Sequence, residues 1–242
     1  MGSLDSIQVR QGLAQNVSVN VVDDAPVAIR LKYKGTGTIT SVTVDTGTDL
    51  ELITSDGGTE TFAFATYSNL GLLVDKINAS AYWEALLLDG LRTDETVNSD
   101  LVDGAKTITS AGFYDITVDT STALDSANKH TFAYRCTIDR NPGSTKPKSG
   151  RRVRLSEVLY NLNVSAAEAK AFRIYEYDAV ARTETIVYQK ASVDATETTV
   201  NFASGNKTLD AGFGNDLIVK VVDGTSITDD AANFLNVSYT IE

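Results

Sequence analysis

The chain has 242 residues, of which 42% are hydrophobic and 17 are glycine, ordinary globular proportions that exclude wholesale disorder. Its 32 acidic and 21 basic residues leave a net charge of −11, a surface that repels nucleic acid and anionic membranes. One histidine and one cysteine exclude a His-rich metal site, a structural zinc knot and an internal disulfide.

The length fits one large β domain or two of ordinary size, and two fits slightly better. Abundant Thr, Val and Ser in short alternating runs point to β structure throughout. In residues 1–38, Val17, Val19 and Val21 alternate with polar neighbours. Asp23-Asp24-Ala25-Pro26 then breaks the run before Ile29, Leu31 and Tyr33 alternate again. That pattern predicts strand, turn and strand, forming an N-terminal arm or a first sheet.

Residues 39–119 predict a small α+β unit. Val42 and Val44, Leu50 and Leu52, and Phe62 and Phe64 mark three strands, the last two joined by a turn at Asp56-Gly57-Gly58. The period then changes: Leu70, Leu73, Val74 and Ile77 stand at i, i+3, i+4 and i+7, one face of a short helix. Ser68 is placed to cap it. Tyr82 to Leu88 is extended and apolar, Asn98 to Ala111 is turn-rich, and Tyr114, Ile116 and Val118 predict a further strand. A domain boundary is expected between Asp119 and Lys129, which reads as a loop.

Residues 120–242 predict strands at Phe132–Ile138, Arg152–Asn163, Ala171–Tyr177, Glu184–Gln189, Glu197–Phe202, Asp216–Val222 and Phe234–Ile241. Runs at this spacing fit a β-sandwich. Ser165 to Ala171 has the flavour of a helical turn. The expected fold is therefore mainly β: a strand arm, a hairpin–helix–strand module, and a sandwich.

Two stretches carry a resemblance. The run from Phe62 through Tyr67-Ser68-Asn69 to Ile77-Asn78-Ala79, followed by Tyr82-Trp83-Glu84-Ala85-Leu86-Leu87, resembles a hairpin–helix–strand module of tailed-bacteriophage structural proteins. Short helices ending in Ile-Asn also occur in flagellar filament and hook-associated proteins. Leu209 to Val221 resembles the penultimate hairpin of jelly-roll modules in phage accessory proteins and carbohydrate-binding domains. The first resemblance covers about a quarter of the chain and transfers no catalytic residue.

The candidates for chemistry are few. A Ser/His/Asp hydrolase would have to use His130, and the chain has no Gly-x-Ser-x-Gly elbow. Gly35-Thr36-Gly37 and Gly212-Phe213-Gly214 precede strands, not the helix that a phosphate loop needs. Asp45, Asp49 and Glu51, and separately Asp223, Asp229 and Asp230, offer oxygen ligands for calcium, but Asp and Gly are also what hairpin turns require. Cys136 reads as a small core filler. No catalytic residue, cofactor or metal is assigned.

The sharpest local signal is basic. Arg135, Arg140, Lys146, Lys148, Arg151, Arg152 and Arg154 share a segment whose single acid is Asp139. Of these, Arg140, Lys146, Lys148, Arg151, Arg152 and Arg154 form the candidate docking set for an acidic partner surface. Nucleic acid is disfavoured, because the loop holds no aromatic to stack on bases. The resemblance and the empty catalytic inventory imply a non-enzymatic virion protein, foremost a capsid decoration (cement) protein. Its partners would be the major capsid protein or other virion proteins and copies of itself, with no membrane. It would be made in a bacterial cytoplasm, since no secretion signal is recognisable. A tail, neck or fibre role shares this vocabulary. The alternative from another class is a host-surface glycan-binding module using Tyr175, Tyr177 and Tyr188.

Overall fold

The structure, a computed structural model, describes residues 14–20, 27–96, 101–103, 112–118, 133–144, 150–161, 171–190, 198–201, 209–222 and 234–241. The first elements are β1 (Ala14–Asn20), β2 (Val27–Tyr33), β3 (Ile39–Asp45), β4 (Asp49–Thr54), β5 (Gly58–Ala63), α1 (Leu70–Asn78), β6 (Trp83–Leu87), β7 (Leu101–Asp103) and β8 (Phe113–Val118). Strand β2 lies inside a four-stranded antiparallel sheet ordered β6-β2-β8-β7, while β3, β4 and β5 form an antiparallel meander. Strand β2 is buried on both faces, whereas β4 alternates. Ile29, Leu31 and Tyr33 of β2, Leu50 and Leu52 of β4 and Phe62 of β5 all join one core. The helix lays Leu70, Leu73, Val74 and Ile77 on that same core. Gly58, at φ +68°, opens β5 in the left-handed region that the Asp56–Gly58 turn requires.

The cap of α1 is Asn69, not Ser68. The Asn69 side-chain oxygen accepts from Leu72 N at 2.9 Å. Ser68 is instead engaged through its backbone, its carbonyl accepting from Thr96 N at 3.1 Å. A β-bridge between Asn69 and Glu95 holds Asn69 in the extended conformation of a cap. At the other end, the Asn78 amide donates to the Ala85 carbonyl and accepts from Ala85 N, each at 2.9 Å. The helix is thereby pinned to β6, and the Ile77-Asn78-Ala79 triplet acquires a physical role.

The remaining elements are β9 (Ala133–Cys136), β10 (Val153–Asn161), β11 (Ala171–Asp178), β12 (Thr183–Lys190), β13 (Thr198–Asn201), β14 (Leu209–Asp210), β15 (Asp216–Val222) and β16 (Phe234–Ile241). All seven strands expected after residue 120 are present. They form two antiparallel sheets, β1-β16-β10-β13 with β14 beside β10, and β12-β11-β15-β9. Tyr134 of β9 and Tyr239 of β16 meet between them, ring centroids 6.5 Å apart. The molecule is mainly β and sandwich-like, as its alternation predicts.

The N-terminal residues do not act as one arm. Strand β1 pairs with β16, from Ala14 opposite Thr240 to Asn20 opposite Phe234, while β2 pairs with β6 and β8. Alternation identifies a strand without naming its partner. Residues 119–129, expected to hold the boundary, and most of the Ser165–Ala171 helical turn lie outside the described residues.

Candidate functional site

The fold divides the described residues of the basic segment between two places. Arg135 leads into the interior, with its side chain only 3% exposed. Arg140 turns back against the first half of the chain and donates to Asp89 Oδ2 at 2.5 Å. It also lies over the Tyr134 ring at 4.8 Å. Burial opposes its charge, but the Asp89 carboxylate outweighs that penalty and holds the guanidinium pKa above its ordinary value. The loop beyond is packed too. The Arg140 carbonyl accepts from Arg30 Nη1 at 3.4 Å. Gly143, at φ +66°, sits where a Cβ would strike the Glu84 carboxylate. Lys146 and Lys148 lie outside the described residues.

Arg151, Arg152 and Arg154 belong to a different place. Arg154 faces Asp210 across the β10–β14 pair and donates to both of its oxygens, at 2.8 and 3.2 Å. Arg152 Nη1 approaches the same carboxylate at 3.2 Å, and its guanidinium lies 5.7 Å from the Phe213 ring centroid. Arg152 and Arg154 thus converge on one carboxylate. Phe213 is 69% exposed, yet its loop is firmly built. Glu176 Oε1 accepts from Gly212 N and Asn215 Nδ2, both at 2.7 Å, and Gly214 N donates to the Arg151 carbonyl at 2.7 Å. An exposed aromatic on an ordered loop, stacked by an arginine, has the composition of an interface anchor. Reading Gly212-Phe213-Gly214 as a turn misses it, because the arginine it stacks on is distant in sequence.

Between the two halves runs a charged seam that the sequence does not reveal. Its first-half side is the loop after β6. There Asp89 Oδ1 accepts from Arg135 N at 3.0 Å, Arg92 N donates to Glu184 Oε1 at 2.7 Å, and Asp94 accepts from Lys220 Nζ at 2.5 Å. Asp75 of α1 receives Arg92 at 2.5 Å and Arg182 at 3.2 Å. The apolar part is small: Leu91 packs with Ala133, Tyr175 and Ile218, and Tyr177 leans against them. Burial raises the Glu184 pKa and lowers that of Arg135.

Tyr175 is buried in this seam and Tyr177 lies under the Arg135 guanidinium at 4.6 Å, so neither stands on an open aromatic platform. Tyr188 is half-buried on β12. Asp45 and Asp49 face each other across β3 and β4, two positions along from the pair Thr43–Glu51. Among the described residues no group of three or more His, Cys, Asp or Glu side chains is gathered as for a metal ion. Asp223, Asp229, Asp230 and His130 lie outside the described residues. Cys136 is fully buried, and burial pushes its thiol pKa well up, as for a core residue. Among the described residues no helix is long and apolar enough to cross a membrane.

Comparison with known proteins adds little. No protein-family model matches the chain, and no curated protein matches it. Among solved structures, one of infectious bursal disease virus, Gt strain, is similar at 11% identity, with a TM-score of 0.19. The match covers 88% of this chain and 54% of that one, so this chain spans about half its length. A likeness that slight carries no argument about fold or function.

Proposed function

We propose that this chain is a non-enzymatic structural subunit of a virion, of the capsid-decoration kind. It docks through the surface of Arg151, Arg152 and Phe213 on an acidic face of a shell protein or of a neighbouring copy. The observation that carries this reading is Phe213, an exposed ring on a loop braced by Glu176 and stacked by Arg152. Burying such an anchor contributes most of an interface's energy, while the surrounding arginines set register and partner choice. The hairpin–helix–strand resemblance supports a virion and directs the reading toward tailed phages. Arg140, by contrast, serves the interior of the subunit.

The test is made on particles. Mass spectrometry of purified virions is expected to find the chain in hundreds of copies. Multiples of six would place it in the tail and overturn the decoration role, and absence would overturn the virion reading altogether. Charge reversal at Arg151 and Arg152, combined with Phe213→Ser, is expected to lower occupancy at least about tenfold, as for loss of a central anchor. Wild-type occupancy across a salt titration would reject this docking surface.

A further inference from the structure

The seam between the halves is built unlike the rest of the interior. Among the described residues, the core shared by β2 through β8 and α1 gathers twenty buried apolar residues, whereas the seam cluster gathers four, Leu91, Ala133, Tyr175 and Ile218. What the seam has instead is charge: Asp75, Asp89, Arg92 and Asp94 from the first half, and Arg135, Arg140, Arg182, Glu184, Asp216 and Lys220 from the second.

These charges are unevenly compensated. Arg140 and Lys220 each have a carboxylate at 2.5 Å. Arg135 does not: its closest carboxylate, on Asp216, is 3.8 Å away, and its Nε and Nη2 make no hydrogen bond with any described residue. Its charge is met only by that long ion pair and by the face of the Tyr177 ring at 4.6 Å, which replace part of the hydration that burial removes. Burial also raises the pKa of Glu184, a second charge on the same half of the seam. An interface with few apolar contacts and strained buried charge adds little net stability, even though each sheet beside it is continuous.

We infer that the seam is a releasable joint: it opens as a unit while the sheets on both sides stay folded. The first half's face of the joint is the loop from Leu88 to Asp94: Asp89, Leu91, Arg92 and Asp94 reach across the seam, while the loop's backbone stays bonded to β2 and α1 at Ala28, Val27, Leu70 and Gly71. A partner that grips both halves closes the joint, and one that grips a single half frees it. This goes beyond the proposed virion role and does not depend on it.

Two amides report the joint directly. Arg92 N and Arg135 N each donate to a side chain of the opposite half, Glu184 and Asp89. In native-state hydrogen exchange of the full-length protein, both are expected to be about a hundredfold less protected than amides in the middle of β11 and β15, as for a sub-global opening. Lys220→Met, which removes the pair with Asp94, is expected to speed the two joint amides about tenfold and leave the sheet amides unchanged. Should that variant not fold, Arg182→Asn removes the exposed pair with Asp75, suits the left-handed backbone at φ 57°, and is expected to shift the same two amides about twofold. Equal protection of joint and sheet amides in the wild type would overturn the inference. So would a variant that speeds both sets alike, since joint and sheets would then be one cooperative unit.

Discussion

At the scale of single residues, the clearest electrostatic feature is Asp56. The Tyr33 hydroxyl donates to one of its oxygens, and Thr36 N and Gly37 N donate to the other at 3.0 Å. The Tyr33 bond foremost, with the amides adding, lowers its pKa from 3.8 to about 2. A depressed carboxyl pKa gives stability that is fully present above the ordinary value and is lost as pH falls through the folded one. The turn holding Asp56 is therefore expected to loosen only below the usual aspartate range. Carboxyl NMR should find Asp56 titrating near pH 2, and Tyr33→Phe should move that midpoint upward. A midpoint that does not move would mean the hydroxyl contributes nothing. The buried pair Arg30–Asp115, bonded at 2.6 and 2.9 Å across β2 and β8, follows another rule. Asp115→Ala is expected to destabilise by about 3–5 kcal/mol in chemical denaturation, because it removes the carboxylate that compensates a buried guanidinium.

At the scale of elements, edges decide how strands are finished. Strand β6 is an edge, and the Asn78 amide occupies the outward N–H and C=O of Ala85. Asn78→Ala is expected to cost about 1–3 kcal/mol in denaturant unfolding, since it leaves both groups without their partner. A loss near zero would show that water replaces the amide. Strand β12 is also an edge and exposes Ile186 and Val187. Its pairing with β11 shifts register between Ile174 and Tyr175, so β12 carries a bulge at that point. A bulge twists an edge away from a second strand, which accounts for exposed apolar residues there without inviting edge-to-edge pairing. The alternation of β12 was legible in its sequence. The bulge was not, because it depends on how β11 and β12 register.

At the scale of the whole molecule, the chain's two described extremes are neighbours. Strand β1 runs along the length of β16 in an unbroken antiparallel register. Removing residues 1–26 is expected to bare the edge of β16, lowering the midpoint of thermal unfolding and promoting association, measurable by calorimetry and light scattering. An unchanged midpoint would mean that β1 adds order without stability. The candidate docking surface is likewise a product of the whole. Arg152 and Arg154 were visible as charges in the sequence, but Asp210 and Phe213, which orient and complete them, arrive on a separate strand and loop.

The period of apolar residues by itself determined seven of the strands after residue 120 and the three strands of the meander, by alternation, and the buried face of α1, by helical spacing. Each of these is a local consequence of the period with which side chains meet one core. Only the tertiary structure decided that β1 belongs beside β16, that Arg135 and Arg140 point inward while Arg152 stacks on Phe213, and that the halves meet through charge. Those outcomes depend on long-range register and on which carboxylate comes within hydrogen-bond reach, and no periodicity along the chain encodes either.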